Sequence, residues 1–172
     1  MDSYKKSIFV LLFVSFLFGI FDFHYQNTIS PLFIKIFGDS SNPLLLIPLF
    51  VYMLLPWYIL SIYALQITKK NSSYTLRTLL LNNTLSYLVS VISYYIHYVF
   101  LLFFIGLPNF ENIKFVFTKE NIEYALNALF LPGIIEWGIG AIILGSIVSV
   151  FNYFIIPKIE KLLKGISIKK KY

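Results

Sequence analysis

The segment LLLNNTLSYLVSVISYYIHYVFLLFFI, residues 79–105, decides the fold of this chain. At a rise of about 1.5 Å per residue, a helix over this segment crosses the roughly 30 Å hydrocarbon core of a bilayer. Polar side chains recur in it at spacings of 4, 4, 3 and 4 residues, and on an α-helix they fall within an arc of roughly 80°. These residues, the polar stripe below, are Asn82, Ser86, Ser90, Ser93 and His97. Hydrocarbon offers their amide and hydroxyl groups no partner, so the stripe is predicted to face protein or water inside the membrane.

Three further apolar runs have membrane-spanning length. The chain is 58% hydrophobic and only 13% charged, against about 25% charged residues in soluble domains. We therefore predict an all-α integral membrane protein, with residues 1–172 forming a single polytopic transmembrane domain. The predicted transmembrane helices cover about 7–25, 43–66, 79–105 and 130–156. The first run could also be read as a signal peptide, but Phe18-Gly19-Ile20-Phe21 at its end lacks the small residues of a cleavage site, which favours a retained helix.

Prolines and glycines predict where these helices begin, bend and end. Asn42-Pro43 forms a cap followed by proline at the first helical position. Inside the second run, Pro48 and Pro56 each remove a backbone hydrogen bond, so we expect a kink in which a neighbouring helix satisfies the freed carbonyl. Gly106 and Pro108 are expected to end the third helix, and Pro157 the fourth.

A more polar insertion separates the third and fourth runs. Thr118 can cap a helix, and apolar residues recur on one face of the following segment, at Ile122, Ala125, Leu126 and Leu129. We therefore predict an amphipathic helix near 119–129 that lies on the outer membrane surface.

The distribution of basic residues predicts the orientation. With four spans, the N-terminus, the loop 68–78 and the C-terminal tail share one side of the membrane. That side carries Lys5 and Lys6, then Lys69, Lys70 and Arg77, then Lys158, Lys161, Lys164, Lys169, Lys170 and Lys171. The other side has only Lys35, Lys114 and Lys119. The positive-inside rule then places both termini in the cytoplasm, in a protein of the cell membrane.

The same charge distribution bears on the partners of the chain. The basic tail, from about residue 158, is expected to contact anionic lipids. The net charge of +6 lies mostly outside the apolar runs, so we expect it to face lipid headgroups rather than nucleic acid.

The fourth run contains a ladder of small residues at a spacing of four. Ala141, Gly145 and Ser149 lie on one helix face, where small side chains allow two helix backbones to approach closely. A contact within the bundle is the first interpretation of this ladder, and the seam of a homodimer is the second.

Four ionisable residues are predicted to reach a similar depth near the outer leaflet. Asp22 and His24 lie at the outer end of the first helix, His97 ends the polar stripe, and Glu136 lies in the first turns of the fourth helix. Ionisable groups within a membrane are costly and often functional. The alternatives are simpler: headgroup contact for Asp22 and His24, a bond to a carbonyl for His97, and stabilisation by the helix dipole for Glu136. On the flank of the stripe, Tyr87, Tyr94 and Tyr98 could extend its hydrogen bonds.

Several function classes remain open at this point. The chain has no cysteine, phosphate-binding glycine loop or zinc-binding His-Glu-x-x-His helix, and no metal or other cofactor is predicted. The leading hypothesis is a non-enzymatic small transporter, with a water-accessible cavity beside Ser90, Ser93 and His97, or an accessory subunit of a membrane assembly with a membrane-protein partner. One alternative is a membrane-embedded enzyme that uses Glu136 or Asp22 as general base with His97. Another is a subunit in which His24 and His97 are the axial ligands of a haem.

Overall fold

The computed structural model describes residues 3–37, 43–70, 74–106 and 114–169, and within these ranges every regular element is helical. Four helices are long and apolar enough to cross a membrane. The all-α transmembrane fold predicted from the sequence is therefore confirmed. The elements are α1 Ser3–Phe37, α2 Pro43–Lys69, α3 Leu76–Phe104, α4 Lys119–Tyr124, a π-helical segment Ala125–Phe130, and α5 Leu131–Lys169.

The helix α3 lies at the centre and packs against α1, α2 and α5. Three small apolar clusters succeed one another along the bundle. One is centred on Leu11, Ala64 and Ile67, the next on Leu60, Tyr87, Val91 and Ala141, and the last on Phe23, Leu101, Leu102, Phe103 and Ala125. The interior also holds many buried polar side chains, which follows from the polar stripe on the central helix.

Large apolar side chains cover the outside of the bundle. Phe9, Ile59, Ile135 and Ile147 are all about 60% exposed or more. In water this surface would oppose solubility, whereas in a bilayer it faces lipid chains at no cost. The exposed face of each helix therefore agrees with the apolar runs read from the sequence.

Two of the helices continue well beyond the predicted boundaries. The helix α1 passes through Pro31 to Phe37, and α5 passes through Pro157 to Lys169, so the prediction that Pro157 ends the fourth helix is wrong. A proline removes one intrahelical hydrogen bond, whereas ending the helix leaves several carbonyls without partners. The α3 boundaries are closer to the prediction: Thr75 caps its start in a capping box with Thr78. Gly106 follows its end at φ 96°, a left-handed conformation suited to glycine. The predicted cap Asn42 and residue Pro108 lie outside the described residues.

The predicted surface helix is the beginning of a longer one. Thr118 caps it as expected, since its Oγ1 accepts from the backbone N–H of Asn121 at 3.2 Å. No turn separates residues 119–130 from α5. The connection is π-helical, and the N–H of Leu131 bonds to the carbonyl of Leu126. Pro132 explains the wider turn, because in a regular α-helix its ring would press against the carbonyl of Ala128.

Candidate functional site

The first four residues of the polar stripe are fully packed inside the bundle. Asn82, Ser86, Ser90 and Ser93 are at most 1% exposed. Asn82 donates to Thr68 Oγ1 of α2 at 3.0 Å, while the two later serines donate to α1 carbonyls, Ser90 to Ser15 at 3.0 Å and Ser93 to Phe16 at 2.7 Å. Along these four residues the stripe is a helix-packing surface that joins α3 to both preceding helices.

Helices α1 and α3 approach each other closely at Gly19. A Cβ at this position would overlap Ser93 Oγ and the backbone carbonyl of Ser90. The absence of a side chain at Gly19 therefore sets the crossing, and the two serine hydroxyls donate to α1 carbonyls within the preceding turn. Ser90 and Ser93 are buried, and neither lines the inner or the outer cavity described below.

His97 ends the stripe at the bundle surface and meets His24. Their Nε2 atoms are 2.9 Å apart, within hydrogen-bonding distance, and their ring centroids are 5.0 Å apart. The ring of Phe23 packs edge-on against both histidines. As placed, the pair does not fit a haem, because nitrogen ligands on opposite sides of one metal ion lie about 4 Å apart, twice a bond of about 2 Å, with the macrocycle between them.

Asp22 faces away from the histidines and into a cavity among the helices. It is 3% exposed. One carboxylate oxygen accepts from Gln26 Nε2 at 3.1 Å, and the other accepts from Trp57 Nε1 of α2 at 3.2 Å. We call this space the inner cavity. It has a volume of about 180 Å³ and is lined by Asp22, Gln26, Met53, Leu54, Trp57, Val91, Tyr94, Tyr95 and Trp137.

Glu136 lies in a different space, which we call the outer cavity. It has a volume of about 410 Å³, and its lining includes Asn27, Tyr98, Ala128, Gly133 and Glu136. Tyr94 and Tyr95 line both cavities and form a shared wall between them. A Cβ at Gly133 would overlap the Tyr95 ring. The absence of a side chain at Gly133 therefore allows Tyr95 to lie between the two cavities.

The structure thus brings together two of the four residues predicted to converge. His24 and His97 contact each other, whereas among the described residues no hydrogen bond joins either histidine to Asp22 or Glu136. The reason is rotation about the helix axis: residues 22 and 24 project about 200° apart on α1, toward different neighbours.

Side chains that the sequence did not single out complete the inner cavity. Pro56 cannot donate to the carbonyl of Tyr52, and the Tyr25 hydroxyl bonds to that carbonyl instead at 3.0 Å. One residue further, Gln26 Nε2 reaches the carbonyl of Met53 at 3.2 Å. This confirms, at Pro56, that a neighbouring helix satisfies the freed carbonyl. In the sequence, the proline indicates that a carbonyl of α2 needs a partner from another helix. Only the packing shows that α1 supplies it.

The small-residue ladder of α5 lies against α3 in the same chain. Ala141 and Ser149 are buried, and a Cβ at Gly145 would come within 3.4 Å of Thr84 Cα. Asn83 Nδ2 donates to the Gly145 carbonyl and to Ser149 Oγ, both at 3.0 Å. A second asparagine, Asn152, donates to Ser61 Oγ of α2 at 3.0 Å. Neither asparagine belongs to the polar stripe, so its periodicity gave no signal for them.

The chemistry available in this region is that of a carboxylate in aromatic and apolar surroundings. Among the described residues, no three metal-ligating side chains of the His, Cys, Asp or Glu type come together. The lining of the inner cavity offers hydrogen-bond acceptors, ring faces and the carboxyl group of Asp22 to a bound molecule. No protein-family model, curated protein or solved structure matches the chain.

Proposed function

We propose that this chain is a non-enzymatic small transporter that binds its solute in the inner cavity. The single observation that carries the proposal is a buried carboxylate, that of Asp22, in a cavity lined by residues of α1, α2, α3 and α5. An ionisable residue inside a membrane bundle is expensive to retain, and it commonly marks a substrate or ion pathway. Binding sites between helices near the middle of the membrane are also the usual arrangement in secondary transporters.

The arrangement of the two cavities supports a path through the bundle. The outer cavity has an exposed carboxylate, Glu136, and it abuts the inner cavity across Tyr94 and Tyr95. Movement of these rings would join the two spaces. Pro56 lies next to Trp57 of the inner cavity, and two backbone carbonyls of α2 accept from α1 side chains there. A shift between α1 and α2 would therefore change the shape of the binding site.

We further propose that both termini face the cytoplasm in the cell membrane. The support is the excess of Lys and Arg in the N-terminus, the loop 68–78 and the tail. In this orientation, both cavities lie in the half of the bundle that faces away from the cytoplasm. The tail lysines would then contact anionic lipids of the inner leaflet.

The geometry gives less support to an enzyme. General acid–base chemistry by a carboxylate–histidine pair needs the two groups within hydrogen-bonding reach. In the described part of the chain, His97 bonds to His24, and Asp22 bonds to Gln26 and Trp57. An accessory subunit remains the alternative, and it predicts a membrane protein that co-purifies in mild detergent.

Single cysteines test the transport path, because the chain has none of its own. Met53→Cys would place a thiol in the inner cavity and Ala128→Cys in the outer cavity. We expect a membrane-impermeant thiol reagent to modify Ala128→Cys rapidly from outside. Met53→Cys should react more slowly, both in intact cells and in inside-out vesicles. Ile59→Cys, on the 62% exposed face of α2, is the lipid-facing control and should stay unmodified. If Met53→Cys resists the reagent from both sides while Ala128→Cys reacts, the inner cavity is not on a transport path.

A further inference from the structure

The inner cavity presents hydrogen-bond acceptors that the protein leaves partly unused. The Asp22 carboxylate receives one bond on each oxygen, and both donors, Gln26 and Trp57, are neutral. A carboxylate has about four lone-pair sites, so each oxygen can accept again. The Oε1 atom of Gln26 is buried and has no hydrogen-bond partner among the described residues. Both side chains line the same cavity.

Within the part of the chain that the structure describes, no positively charged side chain bonds to this carboxylate. Lys, Arg and His are absent from the lining of the inner cavity, and in the described residues the ion pairs join other groups, Lys69 with Glu160 and Lys119 with Glu123. A buried carboxylate without a counter-charge is strongly disfavoured. A ligand with one positive charge would supply what the fold omits.

The remaining walls favour an organic cation over a metal ion. Trp57, Tyr94, Tyr95 and Trp137 bring four aromatic side chains to the cavity, and Leu54 and Val91 add hydrocarbon. Aromatic faces attract ammonium groups through their quadrupoles, and aromatic cages of this composition bind quaternary ammonium ligands. A hard metal ion such as Ca²⁺ would instead require about six to eight oxygen ligands.

The volume limits the size of the ligand. An apolar cavity of about 150 Å³ holds one benzene molecule, and the inner cavity has about 180 Å³. A ligand of roughly six to ten non-hydrogen atoms therefore fits.

We infer that the inner cavity binds a small organic monocation, a protonated amine or a quaternary ammonium, with its charge at Asp22 and Gln26 Oε1 and its hydrocarbon against the aromatic walls. This inference rests on the proposed function, since it names the class of solute that the transporter carries. It also identifies Gln26 and Trp57 as positioning residues, because they hold the carboxylate that would contact the ligand.

Tryptophan fluorescence of the intact protein tests this inference directly. The chain has two tryptophans, and both line the inner cavity. Because Trp137 is also 60% exposed, the saturable part of the change in emission is what reports on that site. The full chain in lipid nanodiscs is titrated with benzylammonium and with benzyl alcohol, a neutral molecule of nearly the same shape. We expect saturable binding of benzylammonium at least tenfold tighter than that of benzyl alcohol, after subtraction of partitioning into empty nanodiscs.

Matched variants assign the preference to the cavity. Asp22→Asn keeps the size of the side chain and removes its charge, so benzylammonium should lose its tenfold advantage while benzyl alcohol binds as before. Glu123→Gln neutralises an exposed carboxylate on α4 and should leave both affinities unchanged. Leu54→Phe narrows the cavity without altering Asp22 and should weaken both ligands.

Each outcome decides the inference. Equal affinity for the two probes, or no saturable binding of either, overturns it, and so does a tenfold preference that persists in Asp22→Asn. If Asp22→Asn does not fold, two measurements still test the inference. They are the relative affinity of the two probes for the natural sequence and the weaker binding of both probes to Leu54→Phe. The titration requires no transport. If binding is cation-selective but Met53→Cys is modified from neither side, the ligand class is retained and the transport path is rejected. If Met53→Cys is modified but binding is not cation-selective, the transport path is retained and the ligand class is rejected.

Discussion

At the scale of single residues, glycine and small polar side chains decide how closely the helices approach. Hydrocarbon offers a buried hydroxyl no partner, so Ser90 and Ser93 donate to α1 carbonyls that already lie within a helix. Gly19 permits that approach, because any side chain there would displace the serines. The sequence predicted that these serines face away from lipid, and their periodicity was sufficient for that. It did not single out Gly19, which could equally have been a lipid-facing glycine.

Alanine at Gly19 is therefore expected to destabilise the bundle. Its Cβ would meet Ser93 Oγ and the Ser90 backbone, and backbone atoms can yield only if α1 moves, which typically costs about 1–3 kcal/mol. Thermal unfolding in detergent, followed by loss of monodisperse protein, measures the effect. Gly140→Ala is the matched control, since nothing lies within 4 Å of a Cβ at that position. Equal stability of the two variants would contradict the close contact at Gly19.

At the scale of whole elements, prolines change the hydrogen bonding of a helix without ending it. Pro56 has no N–H to donate to the Tyr52 carbonyl, and the Tyr25 hydroxyl of α1 donates to it instead. This bond joins α1 to α2 beside the inner cavity. Pro132 is preceded by a π-helical segment that joins α4 to α5. The sequence predicted that a neighbouring helix would satisfy the carbonyl freed at Pro56, but it did not predict the continuous helix at Pro132. An amphipathic segment such as 119–129 has the same pattern whether its helix ends or continues.

A double-mutant cycle tests the link between Tyr25 and Pro56. Tyr25→Phe should lower the free energy of unfolding by about 0.5–1.5 kcal/mol, the usual net value of one hydrogen bond. In the Pro56→Ala background the same change should have little effect, because the backbone N–H that alanine restores there can bond to the Tyr52 carbonyl in place of the phenol. The coupling is read from denaturation of the four proteins. Tyr52→Phe, which removes an exposed phenol, is the control. Additive effects of Tyr25→Phe and Pro56→Ala would contradict the link.

At the scale of the whole molecule, a central helix organises the other three. Asn82 joins α3 to α2, the later serines join it to α1, and Asn83 joins it to α5. Asn83 bonds to Gly145 and Ser149 of the same chain, so the small-residue ladder on α5 already packs against α3. A second copy of the protein would have to use another face, where large apolar side chains such as Ile143 and Ile147 are exposed.

The proposed orientation is testable on the same cysteine-free chain. Val116→Cys, at an exposed position before α4, should react with an impermeant thiol reagent in intact cells. Lys158→Cys, at an exposed position in the tail, should react only after the membrane is opened. The tail side carries a strong excess of lysine, which the positive-inside rule places in the cytoplasm. Replacing Lys158 alone leaves that excess in place, so the variant should keep the natural topology. The opposite labelling pattern would reverse the topology and place both cavities in the cytoplasmic half.

The sequence by itself determined the class of the protein, its four spans and the side of α3 that is shielded from lipid. These are local properties, since hydropathy and the 3.6-residue period need no knowledge of the neighbours. Only the tertiary structure decided which groups meet. Asp22 and His24 have nearly the same depth, yet they face different helices, one toward Trp57 and the other toward His97. The neighbour on each face of α1 is fixed by how the four helices pack, through contacts such as Gly19 against Ser93, and no local pattern encodes that arrangement.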